Sequence, residues 1–406
     1  MSGIRRRLQK YGCDQHHAQG QRTKRHSSMN GLLRIALKLL LNDKGKFATL
    51  VIGITFSVFL MMQMTSMFSG ILYQSAANIV NVGARMWVMD PAVRTPQNSI
   101  PMPNYVLDAV RSIPGVKFAV PFYVGAGLVK LNDGTYQSAT IIGLDDASLF
   151  GRPTIISGNI LDIYRNNAFI MVKDANYAKL GSPKIGTSFE INDHRAVVVA
   201  LAHTPVSGLF GLPTLYTTYN RATQDLPSTR YLISYILVQP KSTRDIAAIE
   251  QQVKQLGYLA LTDRQFITRN DRFYEFQTGM GTSILIMTLI SFLVGLSIAG
   301  ETFYMFVLDN LEHFGALKAI GAKSGELIQM IVFQSLVVGF LGFGFGVLLS
   351  STMIAISKVE IANYAAMVTY ENLFLALIMV LIISAFSSYI GIRKVIRIDP
   401  FDVFRG

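Results

Sequence analysis

Four stretches of this chain, residues 47–72, 281–300, 327–357 and 372–392, contain no Asp, Glu, Lys or Arg. A helix rises about 1.5 Å per residue, so roughly 20 apolar residues cross the hydrocarbon layer of a bilayer. Buried helices of water-soluble domains seldom stay uncharged for that long. The four runs therefore predict four membrane-spanning helices. Only 15% of the chain is charged, against about 25% in soluble domains.

The net charge of +12 is unevenly placed. Residues 1–28 carry Arg5, Arg6, Arg7, Lys10, Arg22, Lys24 and Arg25 against the single Asp14. No RNA- or DNA-binding motif accompanies that charge, so a nucleic-acid partner is not expected. The tail lacks apolar periodicity and reads as disordered. It has no apolar core of a signal peptide, and Met29 offers an alternative start. Cys13 is the only cysteine, which excludes an intramolecular disulfide or a cysteine metal cluster. His16 and His17 read as polar tail residues, and no metal site is expected.

Residues 29–46 hold an amphipathic segment with Arg34 and Lys38 four apart. It suits either a helix lying at the membrane interface or one packed on protein. Lys and Arg concentrate in 1–46, with eleven, and in 393–406, with four; 309–326 holds Lys318 and Lys323, and 358–371 only Lys358. Positive residues stay on the cytoplasmic side. The expected order is thus a cytoplasmic 1–46, span 47–72, outer domain 73–280, span 281–308, cytoplasmic loop 309–326, span 327–357, outer loop 358–371, span 372–392 and cytoplasmic tail 393–406.

The outer segment is long enough for its own core. Residues 85–89 read as a strand, 102–112 as a helix, and Asn132-Asp133-Gly134 as a hairpin turn. Short strands are expected at 168–173, 188–191 and 196–201, then strand 231–239, helix 243–256 and strand 258–261. The order predicts an α+β domain, a split ferredoxin-like module with a small β insertion. Phe266–Gly279, aromatic and charged, suits a helix nearing the membrane surface.

Several apparent chemical signatures do not survive their spacing. Gly315 to Lys323 places five residues between its glycines and Ala322 before Lys323, unlike a phosphate-binding loop. Gly339, Gly342 and Gly346 sit inside an apolar run at helical spacing, a seam for close helix packing within the bundle or between copies. His194 and His203 lack a partner pattern, and no catalytic constellation emerges. Glu301 lies about 10 Å from the cytoplasmic end of the second span; carboxylates at that depth face the bundle interior or water, unless the span ends sooner and Glu301 meets the headgroups.

The segment Glu312-His313-Phe314-Gly315-Ala316-Leu317-Lys318-Ala319-Ile320-Gly321-Ala322 resembles the cytoplasmic signature of the FtsX-like/MacB-type permeases of ABC transporters. Ile398-Asp399-Pro400-Phe401-Asp402-Val403-Phe404-Arg405 is similar to their C-terminal signature. Gly300-Glu301-Thr302-Phe303-Tyr304 resembles the DevC-like branch, with Glu in place of its usual Gln. The resemblance implies a homodimeric permease of the bacterial inner membrane, with no cofactor of its own. ATP and Mg would be bound by a separate cytoplasmic ABC ATPase, and a periplasmic adaptor (membrane fusion) protein would dock outside. It also implies that Glu312, Phe314, Gly315, Leu317, Lys318, Ile320, Gly321 and Ala322 couple the permease to that ATPase. Phe314, Leu317 and Ile320 recur at i, i+3 and i+6, and that spacing is expected to seat them together in a groove on the ATPase. Efflux of an amphipathic or lipid-like substrate is the leading expectation. A mechanotransmitter that activates a periplasmic protein partner is the alternative.

Overall fold

The computed structural model describes residues 31–131, 133–208, 211–225, 232–361 and 363–396. The basic tail with Cys13, His16, His17 and Met29, the turn residue Asn132, and the terminal motif at 398–405 lie outside the described residues.

The chain opens with α1 (31–42), α2 (Lys44–Ser75), α3 (Ala77–Val82), β1 (Met86–Met89), β2 (Met102–Pro103), α4 (Tyr105–Arg111), β3 (Val116–Lys130) and β4 (Tyr136–Leu144). There follow β5 (Thr154–Gly158), β6 (Ala168–Val172), β7 (Ser188–Ile191), β8 (His194–His203), β9 (Thr214–Thr218), α5 (Tyr219–Asp225), β10 (Leu232–Ile233) and β11 (Tyr235–Pro240). The last third holds α6 (Ile246–Gln255), β12 (Leu259–Thr262), α7 (Asp263–Phe276), α8 (Met280–Asp309), α9 (Leu311–Ala319), α10 (Ser324–Glu360) and α11 (Tyr370–Ile396). Two compact units result. A helical unit takes the described residues up to Ser66, Leu285–Met353 and those from Val368; an α/β unit takes Met67–Ile284 and Ile354–Met367.

In the α/β unit, β12, β1, β11 and β3 pair in that order, all antiparallel. Alternation along β1 sorts its side chains onto two faces. Met86 and Val88 join Val106 and Val110 of α4 and Ile249 and Val253 of α6. Trp87 and Met89 face the other way, where Trp87 packs edge-on against Phe122 and Tyr235 at 5.6 and 5.4 Å. Phe266 of α7 closes this second core. The two β-α-β halves, β1–α4–β3 and β11–α6–β12, form the split module read from the sequence. The residues read as a helix from 102 divide differently: Met102–Pro103 pairs with β10, and α4 starts only at Tyr105.

The insertion is more than a set of short strands. Beyond Phe122, β3 leaves β11 and pairs with β4; the ladder continues through β9, β6, β8 and β7, and β7 returns to β3 at Val129↔Ile191. Six strands thus close a ring around Tyr123, Ile141, Phe169, Met171, Val198 and Leu215. Closure pairs the backbone groups that an open edge would expose.

The C-terminal end of α2, which belongs to this unit, is hydrogen-bonded within it. Asn270 of α7 donates to Ser75 Oγ at 2.6 Å, and Gln97 donates to the Ser75 carbonyl at 2.7 Å. Gln74 donates to Asn363 Oδ1 at 3.0 Å, while Asn363 donates to the Gly208 carbonyl at 3.1 Å. Next to Asn270, burial raises the Asp271 carboxyl from its ordinary 3.8 to about 6; the Asn270 amide opposes this and the Glu275 charge adds to it.

Among the described residues four helices, α2, α8, α10 and α11, are long and apolar enough to cross a membrane. They pack around one core that includes Ile54, Val58, Phe303, Phe306, Ile331, Val338, Val380 and Ile383. Small residues set the approach of the helices. A Cβ on Gly342 would stand 2.6 Å from Ile54, and one on Gly346 would stand 2.6 Å from Val58, so these two glycines seat α10 on α2. Gly339 turns instead to Ser384 and Val380 of α11. All three serve seams inside the bundle. Ser335 and Ser388 bond across α10 and α11 at 2.5 Å, the polar glue that hydrocarbon favours. Ala36 and Leu40 bury one face of α1 in the same core, and Gln334 donates to the Ala36 carbonyl at 2.8 Å. Ile35 and Leu41 of α1 remain exposed.

Gly346→Ala is expected to destabilise the purified protein by about 1–3 kcal/mol through overpacking. Gly344→Ala, with nothing within 4 Å of its Cβ, should leave the thermal midpoint unchanged. Because Asp271 binds its proton more tightly folded than unfolded, it makes stability fall as pH rises from 3.8 to about 6. Asp271→Asn should flatten the midpoint-versus-pH profile across that window; an unchanged slope would contradict the assignment.

Candidate functional site

The segment 311–322 folds as α9 and the turn after it, held in the helical unit. Asn310 starts the helix: it is buried, and its amide donates back to the Phe306 carbonyl at 2.8 Å. The amide of Phe314 bonds the Asn310 carbonyl at 3.1 Å, which carries α8 into α9 with little interruption. At the far end, Ile320 and Ala322 bond back to the carbonyls of Ala316 and Leu317 at 3.1 and 3.0 Å. Gly321 takes φ 107°, a conformation open to glycine and strained for other residues, and so ends the helix. Glu326 of α10 then accepts from the Lys323 amide at 2.9 Å.

The side chains divide sharply between core and surface. Phe314 is fully buried among Phe306, Val307, Leu327 and Ile331, and Gly315 is buried beside it. Leu317, Lys318 and Ala322 are half-buried, with Leu317 and Ala322 packed against that core. Lys318 Nζ reaches the Ile396 carbonyl at 3.4 Å. Glu312, Gly321 and Ile320 face outward, with Ile320 85% exposed. The expectation that Phe314, Leu317 and Ile320 meet a partner together is therefore corrected. Their spacing puts Phe314 inside the unit as an anchor and leaves Ile320 as the apolar tip.

A second tether was not read from the sequence. Lys46 pairs with Asp309 at the end of α8, and also with Asp43 at 3.1 Å. The pair clamps the start of α2 to the last residue of α8. The signal lay in two oppositely charged residues at the edges of charge-free runs, which local spacing cannot pair across 263 positions.

Glu301 lies on the outer surface of the four-helix unit and not in its core. It shares an exposed stripe of α8 with Ser297 and Met305. Among the described residues no hydrogen bond or ion pair reaches its carboxylate. The neighbouring Gly300 and Phe303 face inward.

With this geometry in place, known proteins give a consistent comparison. The family model for a MacB-like periplasmic core domain matches residues 47–256, and that for an FtsX-like permease C-terminal region matches 284–400. An uncharacterized ABC transporter permease of Mycobacterium tuberculosis is 24% identical over 87% of this chain and 93% of its own. The macrolide export ATP-binding/permease protein MacB of Burkholderia cenocepacia is 21% identical over 59% of this chain and 37% of its own length. The crystal structure of the periplasmic region of MacB from Actinobacillus actinomycetemcomitans aligns over 45% of this chain and 89% of its own, with 12% identity and a TM-score of 0.36.

Anchor and tip are separable in stability. Phe314→Ala should cost about 3–5 kcal/mol as a large buried truncation. Ile320→Ala should stay within about 0.5 kcal/mol. Thermal unfolding of the two purified variants, side by side, checks the difference.

Proposed function

Because the chain belongs to the ABC transporter permeases that join a MacB-like periplasmic core domain to an FtsX-like C-terminal region, we propose that it is the membrane subunit of an inner-membrane exporter driven by a separate cytoplasmic ATPase. The observation that carries this reading is the division of labour in α9. Ile320 stands out of the unit, where a groove on the ATPase can take it, and Phe314, six residues earlier, is buried in the core that α8 and α10 share. A push on the tip is thereby delivered to two spanning helices and not absorbed by a loose loop.

In this reading 309–326 is cytoplasmic along with both termini, and the α/β unit lies in the periplasm, where an adaptor protein docks. The substrate is an amphipathic or lipid-like molecule. A second copy of the chain covers the stripe of α8 with Ser297, Glu301 and Met305. A carboxylate there is costly against lipid tails, and a protein or water-lined neighbour relieves that cost.

The test is co-purification of the membrane complex. Ile320→Asp should reduce retained ATPase at least about tenfold, the effect of losing one interface anchor, with the permease itself as stable as the parent. Undiminished retention and activity would sink the coupling role. Reconstituted complex should also show ATPase stimulation by an amphipathic substrate; stimulation by a periplasmic protein alone would favour the mechanotransmitter.

A further inference from the structure

A cavity of about 570 Å³ opens on the α/β unit between α7 and the segment that follows β1. Four guanidinium groups line it: Arg264, Arg269 and Arg272 from α7 and Arg94 from the segment. Arg264, Thr268 and Arg272 recur every four residues and so share one face of the helix. No carboxylate lines the cavity, and among the described residues none of the four arginines forms an ion pair. This is unusual for so many cations in one place, since like charges repel and Arg on a protein surface commonly finds an acid.

The arrangement is held by the fold. Arg269 donates through Nε to the Val93 carbonyl at 2.8 Å and through Nη2 to the Pro91 carbonyl at 2.7 Å. Those bonds pin the segment, and Arg94 with it, against α7. The helix itself starts on a reciprocal cap: Thr262 Oγ1 accepts from the Gln265 amide and Gln265 Oε1 accepts from the Thr262 amide. Burial, and after it the charge of Arg94, shift the Arg269 guanidinium down from its ordinary range. Arg94, Arg264 and Arg272 keep exposed side chains, with donors free for a ligand.

We propose that this cavity binds a phosphate ester of net negative charge, its oxygens taken up by the forks of Arg94, Arg264 and Arg272. Guanidinium matches phosphate geometry with paired, charge-assisted bonds, and the volume falls in the range of small-ligand sites. Position favours a lipid headgroup as the source. Gln277, which lines the cavity, lies three residues before Met280, the first residue of the spanning helix α8. Phe276 beside it is 78% exposed, as suits a ring at headgroup level. A soluble phosphate ester carries the same chemistry and would reach the site from water.

The experiment uses the full chain in neutral detergent. Native mass spectrometry compares its retention of phosphatidylglycerol with phosphatidylcholine, and a parallel arm measures binding of inorganic phosphate without lipid. Arg264→Gln/Arg272→Gln should lower binding at least about tenfold, while Arg264→Lys/Arg272→Lys should retain part of it. Phosphatidylglycerol selected over phosphatidylcholine and not displaced by inorganic phosphate assigns the headgroup. Inorganic phosphate bound by the parent and lost in the Gln pair assigns a soluble ester. The proposal is overturned if the parent neither selects phosphatidylglycerol nor binds phosphate, if the Gln pair binds as well as the parent, or if the Lys pair binds no better than the Gln pair.

Discussion

Hydrocarbon offers a peptide group no hydrogen-bond partner, and that constraint governs this structure. Every N–H and C=O carried through the bilayer must be satisfied within its own segment, so each uncharged run becomes a helix. What remains is how those helices recognise one another where burying apolar surface gains nothing over lipid. The structure answers with close approach and hydroxyl bonds: Gly342 and Gly346 against α2, and Gly339, Ser335, Ser384 and Ser388 between α10 and α11. The seams depend on atoms being absent as much as on contacts being made.

The α/β unit works by the opposite rule. Water surrounds it, so apolar burial drives it, and its strands sort side chains between two faces around Trp87 on one side and Val88 on the other. The α9 segment borrows from both regimes, burying an aromatic ring in the helical core while leaving Ile320 exposed.

The spans were legible because length and lack of charge need no knowledge of the rest of the chain. So were β1, β7 and the helix α6, whose periodicity and caps are local. The ring closure was not, since Val129 must find Ile191 and nothing near either residue says so. The side on which Phe314 falls was hidden for a related reason: apolar spacing at i, i+3 and i+6 defines a face without saying what covers it. Which way Glu301 faces was not legible, because depth along a helix was known and rotation about it was not. The arginines of α7 were visible one by one, but Arg94 lies far away in sequence and only the fold brings it to them.

The six-strand ring also limits how another chain can attach to this domain. The strand order runs out at β12 and at β5, so among the described residues these are the outer strands of the larger sheet. β5 is irregular, its pairing shifted between Ile155 and Ser157 and its end bent at Gly158, φ 92°. Such an edge is a poor template for strand addition. A protein that grips the ring is therefore held by side chains fitted to its outer surface, which makes the grip specific to a matching shape and lets it come apart without unzipping a sheet.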